Sequence, residues 1–278
     1  MAFKHFIISR FNLRPIGRPL ASDDWMSRRW DLFMNSCWTS VRHQTNQNFT
    51  WLMFFDIKTT DEDRMRINEL RKSSPTFEPI FIDGAASFNQ EVIKAVKGRT
   101  GDEYSHIITT RLDNDDAIHE SFVQTIQSEF KGQDEALIDI VSGYSLWTQH
   151  RTLLARIEKP LNPFLSLVER NGLELTTVST RNHDHWSTFQ NRTLIKGRPL
   201  WVQIIHGENQ ASQFGHKGWL VERGYLSKDM SLLQPFHLDM KLKVPPSLLF
   251  HSVYNLNLRL RHLVSSVKSR MKHLLKGQ

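Results

Sequence analysis

A single cysteine, Cys37, stands in a chain of 278 residues, so no internal disulfide can form and no cysteine-built zinc site is available. The expected compartment is a reducing one, the cytoplasm. Long apolar runs are missing too. The opening MAFKHFIIS has too short an apolar stretch for a signal-peptide core, and nowhere does the chain approach the roughly 20 apolar residues of a membrane span. Acidic residues are lacking from Met240 to Gln278, whereas Lys241, Lys243, Arg259, Arg261, Lys268, Arg270, Lys272 and Lys276 place eight positive charges there. The net charge of +7 is therefore a property of the tail, because the first 239 residues hold 28 basic and 29 acidic side chains. So neutral a body argues against a nucleic-acid-binding protein, despite a pI near 9.6. No internal repeat or low-complexity segment is present.

With 39% hydrophobic residues the chain can close a sizeable core. Phe6–Ile8 is a short apolar run of the kind that forms a buried strand. Ser22 and Asp23 are good helix caps, followed by Met26, Trp30, Phe33, Met34, Cys37 and Val41 at three- and four-residue steps. Trp51–Phe55 is a continuous apolar run, as expected for a strand buried on both faces, and it ends at Asp56. Thr60 with Asp63 predicts a capped helix through Arg71, Ile80–Ile82 a strand ending at Asp83, Gln90–Val96 a helix, and His106–Thr110 a fourth strand. Such alternation predicts an α/β fold, a mainly parallel sheet flanked by helices. Further on, the pattern predicts a helix over Ala117–Phe130, strands at Ile138–Val141 and Tyr144–Trp147, a helix over Phe164–Arg170, and strands at Leu173–Val178 and Trp201–Ile205. Pro245 and Pro246 mark a boundary, after which apolar residues from Leu249 to Leu274 recur as in a basic amphipathic helix. The expected division is a catalytic domain over 1–240, with a nucleotide-binding half (1–116) and an acceptor half (117–240), and a tail over 241–278.

The strongest chemical signal is RLDNDDAI, Arg111–Ile118, at the end of an apolar strand. Three carboxylates within four residues repel one another, and a cation or a basic partner must neutralise them. The bland alternative is an acidic helix start, favoured by the helix dipole. Oxygen ligands of this type suit Mg²⁺ or Mn²⁺, which bind through one or two carboxylates plus substrate phosphates, as a nucleotide diphosphate would supply. In open parallel sheets ligands lie beyond the carboxyl ends of the strands. Arg10, Asp56, Asp83 and the acidic cluster all fall at such ends and should share one cleft. Arg10, Lys97 and Arg99 are candidate cations for a leaving diphosphate. Trp147, Trp186 and Trp201 are candidate sugar-stacking platforms, although large aromatics are more often core.

KGRTGDEYSHIITTRLDNDDAI resembles the segment of inverting GT-A glycosyltransferases in which a basic, glycine-containing turn precedes a strand and a D-x-D-D signature. HFIISRFN, RRWDLFMNSC, FTWLMFFD, RLDNDDAI and WVQIIHGEN together resemble the bacterial rhamnosyltransferase family, over roughly residues 3–215. The resemblance implies a GT-A fold and transfer of a sugar, rhamnose, from a nucleotide-diphosphate donor to a surface polysaccharide or lipid-linked glycan. It implies that Asp113 faces the ribose and the metal, Asp115 is the principal metal ligand, Arg111 braces the cluster, and Asp56 and Asp83 read base and ribose. It makes His206 the third ligand candidate, with His183 and His185 in competition. The acidic pair that most inverting relatives carry is replaced by Asn162 and Pro163, so the general base is left among Asp184, Glu169 and Glu208, and a retaining mechanism stays open if none is essential. A metal-dependent phosphoesterase is the rival enzyme reading. The basic tail fits the inner face of a cytoplasmic membrane or, equally, packing on the domain or on a second subunit.

Overall fold

The computed structural model describes residues 2–149, 151–172, 174–207, 209, 225–243, 246–257 and 260, with the backbone alone at residues 184, 225 and 226. The first half follows the expected alternation. Strand β1 (Phe3–Arg10) leads to helix α1 (Asp23–Phe33), whose N-terminus is capped by Ser22 accepting from the Trp25 N–H. A π-helical turn, Met34–Trp38, runs into α2 (Thr39–Arg42) and keeps Cys37, Trp38 and Val41 in the core. Strand β2 (Thr50–Asp56), α3 (Asp61–Ser73, capped by Thr60), β3 (Phe77–Ile82), α4 (Phe88–Lys97) and β4 (His106–Arg111) complete it.

The second half is built mostly of strands. They are β5 (Ala117–Ile118), β6 (Glu135–Ile140), β7 (Ser142–Trp147), β8 (Leu153–Glu158), β9 (Ser166–Arg170), β10 (Arg192–Ile195), β11 (Trp201–Ile205) and β12 (Tyr225–Ser227), with a short α-helix, α5 (Phe122–Ser128), after β5 and 3-10 turns at Val178–Thr180, His183–Trp186 and Met230–Phe236. Seven strands form the large sheet in the order β10-β6-β9-β4-β1-β2-β3, with β1 to β4 mutually parallel and β9 antiparallel to both its neighbours. A second sheet, β12-β8-β7-β11-β5, is mostly antiparallel. Three strands of the large sheet come from after residue 116, so the two expected halves share one sheet.

Three sequence expectations need correction. Phe164–Arg170 is no helix: Ser166–Arg170 is the strand β9, wedged between β4 and β6 with both faces buried, which removes the alternation that marks a strand in sequence. The strand expected over Leu173–Val178 is a loop in its described part, broken by Thr177 at φ 68°. The helix expected from Ala117 starts at Phe122, because Ala117 and Ile118 are spent pairing with β11.

The large sheet is covered on one face by α1, α3 and part of the second sheet, where Ile7, Trp30, Phe33, Trp51, Phe55 and Trp201 are fully buried or nearly so. Its other face carries α4 and the segment from Leu175 to Trp186. The expected tail helix is described at 248–257, and from residue 261 on it lies outside the described residues.

Candidate active site

The acidic segment owes its shape to an alternation along the chain. Asn114 and Asp116 turn inwards onto main chain, while Asp113 reaches the cavity wall and Asp115 meets side chains of α1 and of the residue after β11. Asn114 donates to the carbonyls of Arg10 (2.9 Å) and Phe11 (3.1 Å), which ties the end of β4 to the end of β1. Asp116, 2% exposed, accepts from the Ile204 N–H at 2.9 Å and so fixes the segment to β11. Burial, with the nearby charges of Asp115 and Asp113, pushes the Asp116 carboxyl well above the usual carboxylate range.

The remaining two carboxylates are each met by a guanidinium. Arg111 Nη2 lies 3.1 Å from Asp113 Oδ2. Arg29, from α1, places Nη1 2.7 Å from Asp115 Oδ2, and His206 Nε2 lies 3.0 Å from that same oxygen. Burial acts to raise the Asp115 carboxyl, but the His206 hydrogen bond and the Arg29 charge outweigh it and hold it below the ordinary value. Burial and the same three acids push the Cys37 thiol up, so the lone cysteine is an inert core residue rather than a nucleophile.

A cavity of about 400 Å³ opens beside this segment, a size suited to a small ligand. Its walls are Ile8, Arg10, Ala85, Phe88, Asn89, Arg111, Leu112, Asp113, Ser179, Thr180, Arg181, Asn182 and His185. Three guanidinium-bearing residues and one imidazole face a single carboxylate there, a lining that suits an anion.

The sequence candidates divide accordingly. Arg10, Arg111 and Asp113 meet at the cavity, and Asp115 and His206 form the adjoining pair. Asp56 is fully buried and accepts from the N–H groups of Arg14 (3.1 Å) and Lys58 (2.9 Å), while Asp83 is ion-paired with the Arg14 side chain. These two strand-end acids therefore converge on Arg14. Arg99 is not in the cleft: it pairs with Glu78 near the start of β3, at the opposite end of the sheet. Lys97 ends α4, whose first two residues, Phe88 and Asn89, are the ones at the cavity. Glu169 pairs in register with Ile107, near the start of β4, and accepts from Thr176 and Thr177, which makes it a loop brace. Asp184 sits in the short turn His183–Trp186, directly before His185 on the cavity wall. His183 is held by the Leu161 carbonyl at 2.5 Å. Glu208 lies outside the described residues.

Of the three tryptophans, Trp201 and Trp186 are 0% and 2% exposed and belong to the core, so neither offers a face to a sugar. Trp147 is half-buried and packs against the core edge. Arg29, Asn114, Arg14 and Arg181 were missed. Arg29 alone left a sequence signal, a charge on the same helical face as Met26, Trp30 and Phe33.

Among the described residues no three His, Cys, Asp or Glu side chains converge as a cation cage. The Asp115–His206 pair is nevertheless suited to one ion. Two ligands at right angles on Mg²⁺ or Mn²⁺, each about 2.1 Å from it, stand about 3 Å apart, and the two atoms here are 3.0 Å apart. Sites of this kind take one or two protein groups and complete the shell with phosphates and water.

No curated protein matches the chain significantly. Among solved structures, S. aureus TarS 1-349 superposes with a TM-score of 0.45 at 11% identity, covering 73% of this chain and 60% of that one. The same fragment in complex with UDP gives 0.45 at 10%, over 74% and 61%. A structure described as a "Putative Glucose-1-Phosphate Thymidylyltransferase from Bacillus anthracis" gives 0.36 at 12%, over 72% and 89%. The chain thus spans about 60% of the length of the TarS fragment, and likenesses so remote transfer no activity. The sequence itself is more informative: residues 16–218, well over half of the chain, match the family described as "Putative rhamnosyl transferase", and the protein belongs to that family of glycosyltransferases.

Proposed function

We propose that this glycosyltransferase takes a nucleotide-diphosphate sugar, with rhamnose as the transferred unit, and passes it to a hydroxyl of a surface polysaccharide or lipid-linked glycan. The observation that carries this reading is the meeting of Arg10, Arg111 and Asp113 on one basic cavity beside the Asp115–His206 pair. In the transfer the acceptor oxygen bonds to the anomeric carbon, the bond from that carbon to the diphosphate oxygen breaks, and the acceptor proton passes to a base. Arg10 and Arg111, both on the cavity wall, would hold the diphosphate and offset its growing charge as it leaves. Asp115 and His206 would hold a Mg²⁺ or Mn²⁺ ion, which when bound supplies Lewis-acid stabilisation of the same charge. Of the three candidate bases Asp184 is favoured, since its turn carries His185 to the cavity wall and Glu169 is spent on its loop. Family membership favours transfer over the rival phosphoesterase reading.

The test is a thermal-melt panel of nucleoside diphosphates with and without Mn²⁺. A ligand at 100 times its Kd stabilises the folded state by roughly 2.7 kcal/mol. One nucleotide should raise the melting temperature, and more so with Mn²⁺. No response to any nucleotide at millimolar concentration would sink the reading.

The tail adds a second proposal, contact with the anionic inner face of a cytoplasmic membrane. In helix 248–257, Phe250 and Tyr254 pack on the core and His251 is buried, while Leu249 (73% exposed), Val253 (50%) and Leu256 (58%) face outwards. A solvent-facing stripe is normally polar, and here it adjoins a segment with basic but no acidic residues. No described helix is long and apolar enough to cross a membrane. The protein should sediment with phosphatidylglycerol vesicles but not with phosphatidylcholine vesicles, and serine at 249, 253 and 256 should abolish this. Equal retention by both vesicle types, or none by either, contradicts it.

A further inference from the structure

Arg29 occupies an unfavourable place for a charge. It lies on the buried face of α1 with Met26, Trp30 and Phe33 and is 8% exposed. A guanidinium so placed must be paired. Beyond Asp115 it donates to Asn114 Oδ1 at 2.9 Å and lies over the Trp25 ring at 4.7 Å. Its Nε–H meets no acceptor among the described residues, an unspent donor on a buried cation. The oxygen it holds, Asp115 Oδ2, is the one that faces His206 Nε2. A divalent ion held by that pair and the guanidinium therefore compete for one carboxylate oxygen. Both cations can stay nearby only if a further anion joins them, since like charges at this range repel strongly in a partly dry site. A donor diphosphate is such an anion.

We propose that Arg29 gates cation binding: it occupies Asp115 in the free enzyme and is drawn to the donor diphosphate, with its spare Nε–H, when ion and nucleotide bind together. The inference rests on the cation reading given above. Arg29 is then a positioning residue that makes the binding of ion and nucleotide cooperative. By linkage, each ligand raises the affinity of the other by the same factor.

The measurement is Mn²⁺ binding, read from the loss of the free-ion electron paramagnetic resonance signal. It is made on wild type, Arg29→Met and Arg29→Lys, with Mn²⁺ alone and with the nucleoside diphosphate that stabilises the wild type. Methionine keeps an unbranched stem against Trp25 and removes the charge. Wild type should bind Mn²⁺ weakly alone and roughly tenfold more tightly with nucleotide, within the usual range of coupling between two sites. Arg29→Met should bind Mn²⁺ alone roughly tenfold more tightly than wild type and gain less from nucleotide than wild type does, its remaining gain being that of direct phosphate ligation. Arg29→Lys, which keeps the charge, should stay near wild type. Equal Mn²⁺ affinity of wild type and Arg29→Met without nucleotide overturns the gate and leaves the cation site standing. Mn²⁺ binding that Asp115→Asn does not weaken overturns the cation reading and the gate together. If Arg29→Met does not fold, the wild-type titration decides, because a nucleotide that leaves Mn²⁺ affinity unchanged also overturns the gate.

Discussion

Asp115→Asn should reduce sugar transfer by ~100-fold or more, the scale on which removal of one preorganised electrostatic group acts in enzyme sites. The proposed loss has two sources. The ion would lose its main anionic ligand, and Arg29 and His206 would lose the carboxylate oxygen that now stands 2.7 and 3.0 Å from them. The second source also acts on stability. Breaking a buried pair by removing one partner costs about 3–5 kcal/mol when the other charge stays buried. The Arg29 side chain is 9% exposed and that of Asp115 15%, so the lower end of that range is expected. The two sources separate in a double-mutant cycle. Asp115→Asn with Arg29→Met should recover much of the lost stability, since no lone charge remains, while transfer stays low. Asp113→Asn is the natural comparison: its side chain is 29% exposed and its partner Arg111 18%, so it should melt close to wild type. An Asp115→Asn enzyme with transfer within about threefold of wild type would remove Asp115 from the chemistry, because no electrostatic role of this kind is that small.

The two halves of the chain differ in how far their sequence discloses them, and the reason is the type of sheet each half builds. Strands β1, β2 and β4 are parallel and covered on both faces, so each is an unbroken apolar run, and the helices between them carry a three-to-four-residue period and a polar cap such as Ser22 or Thr60. Strand β9 is also buried on both faces, but it holds Ser166 and Glu169, whose polar groups are satisfied by Thr110 and by the loop at Thr176 and Thr177. Those partners are far away in sequence or set by the loop path, and no local pattern marks them. The site shows the same contrast. That the acidic segment sits at a strand end was legible, because strand order places it there. Which acid lines the cleft was not, since Asn114 and Asp116 are drawn inwards by the carbonyls of Arg10 and Phe11 and by the Ile204 N–H, and Asp115 is taken up by Arg29 and His206. Arg99 misled for a related reason. Its basic turn precedes β4 and so lies at the wrong end of the strand, where Glu78 takes it up.

Gly143→Ala should be among the most destabilising single methyl additions in the protein. A Cβ built at residue 143 would fall 2.1 Å from Cδ2 of Trp201 and within 2.4 Å of two further ring atoms, far inside van der Waals contact. The ring has little room to retreat. It is fully buried, its Nε1 donates to the Ile140 carbonyl at 2.7 Å, and it stacks on Phe164 at 4.9 Å with an interplanar angle of 15°. Overpacking of a well-packed core costs typically about 1–3 kcal/mol, and a fixed indole puts this site at the upper end. For a domain of this size that is a fall in Tm on the order of 5–10 °C. Gly172→Ala supplies the control, since nothing lies within 4 Å of the Cβ it would add, and it should change Tm by less than about a degree. The effect should also reach the active site. Trp201 opens β11, and the same strand carries Ile204, which holds Asp116, and runs into His206. If the strand shifts to relieve the clash, the distance from His206 to Asp115 must change, and Mn²⁺ affinity should fall in step with stability. A Gly143→Ala protein that melts with wild type would mean that β7 and β11 slide past each other at little cost, and the rigid placement of His206 by β11 would then have to be abandoned.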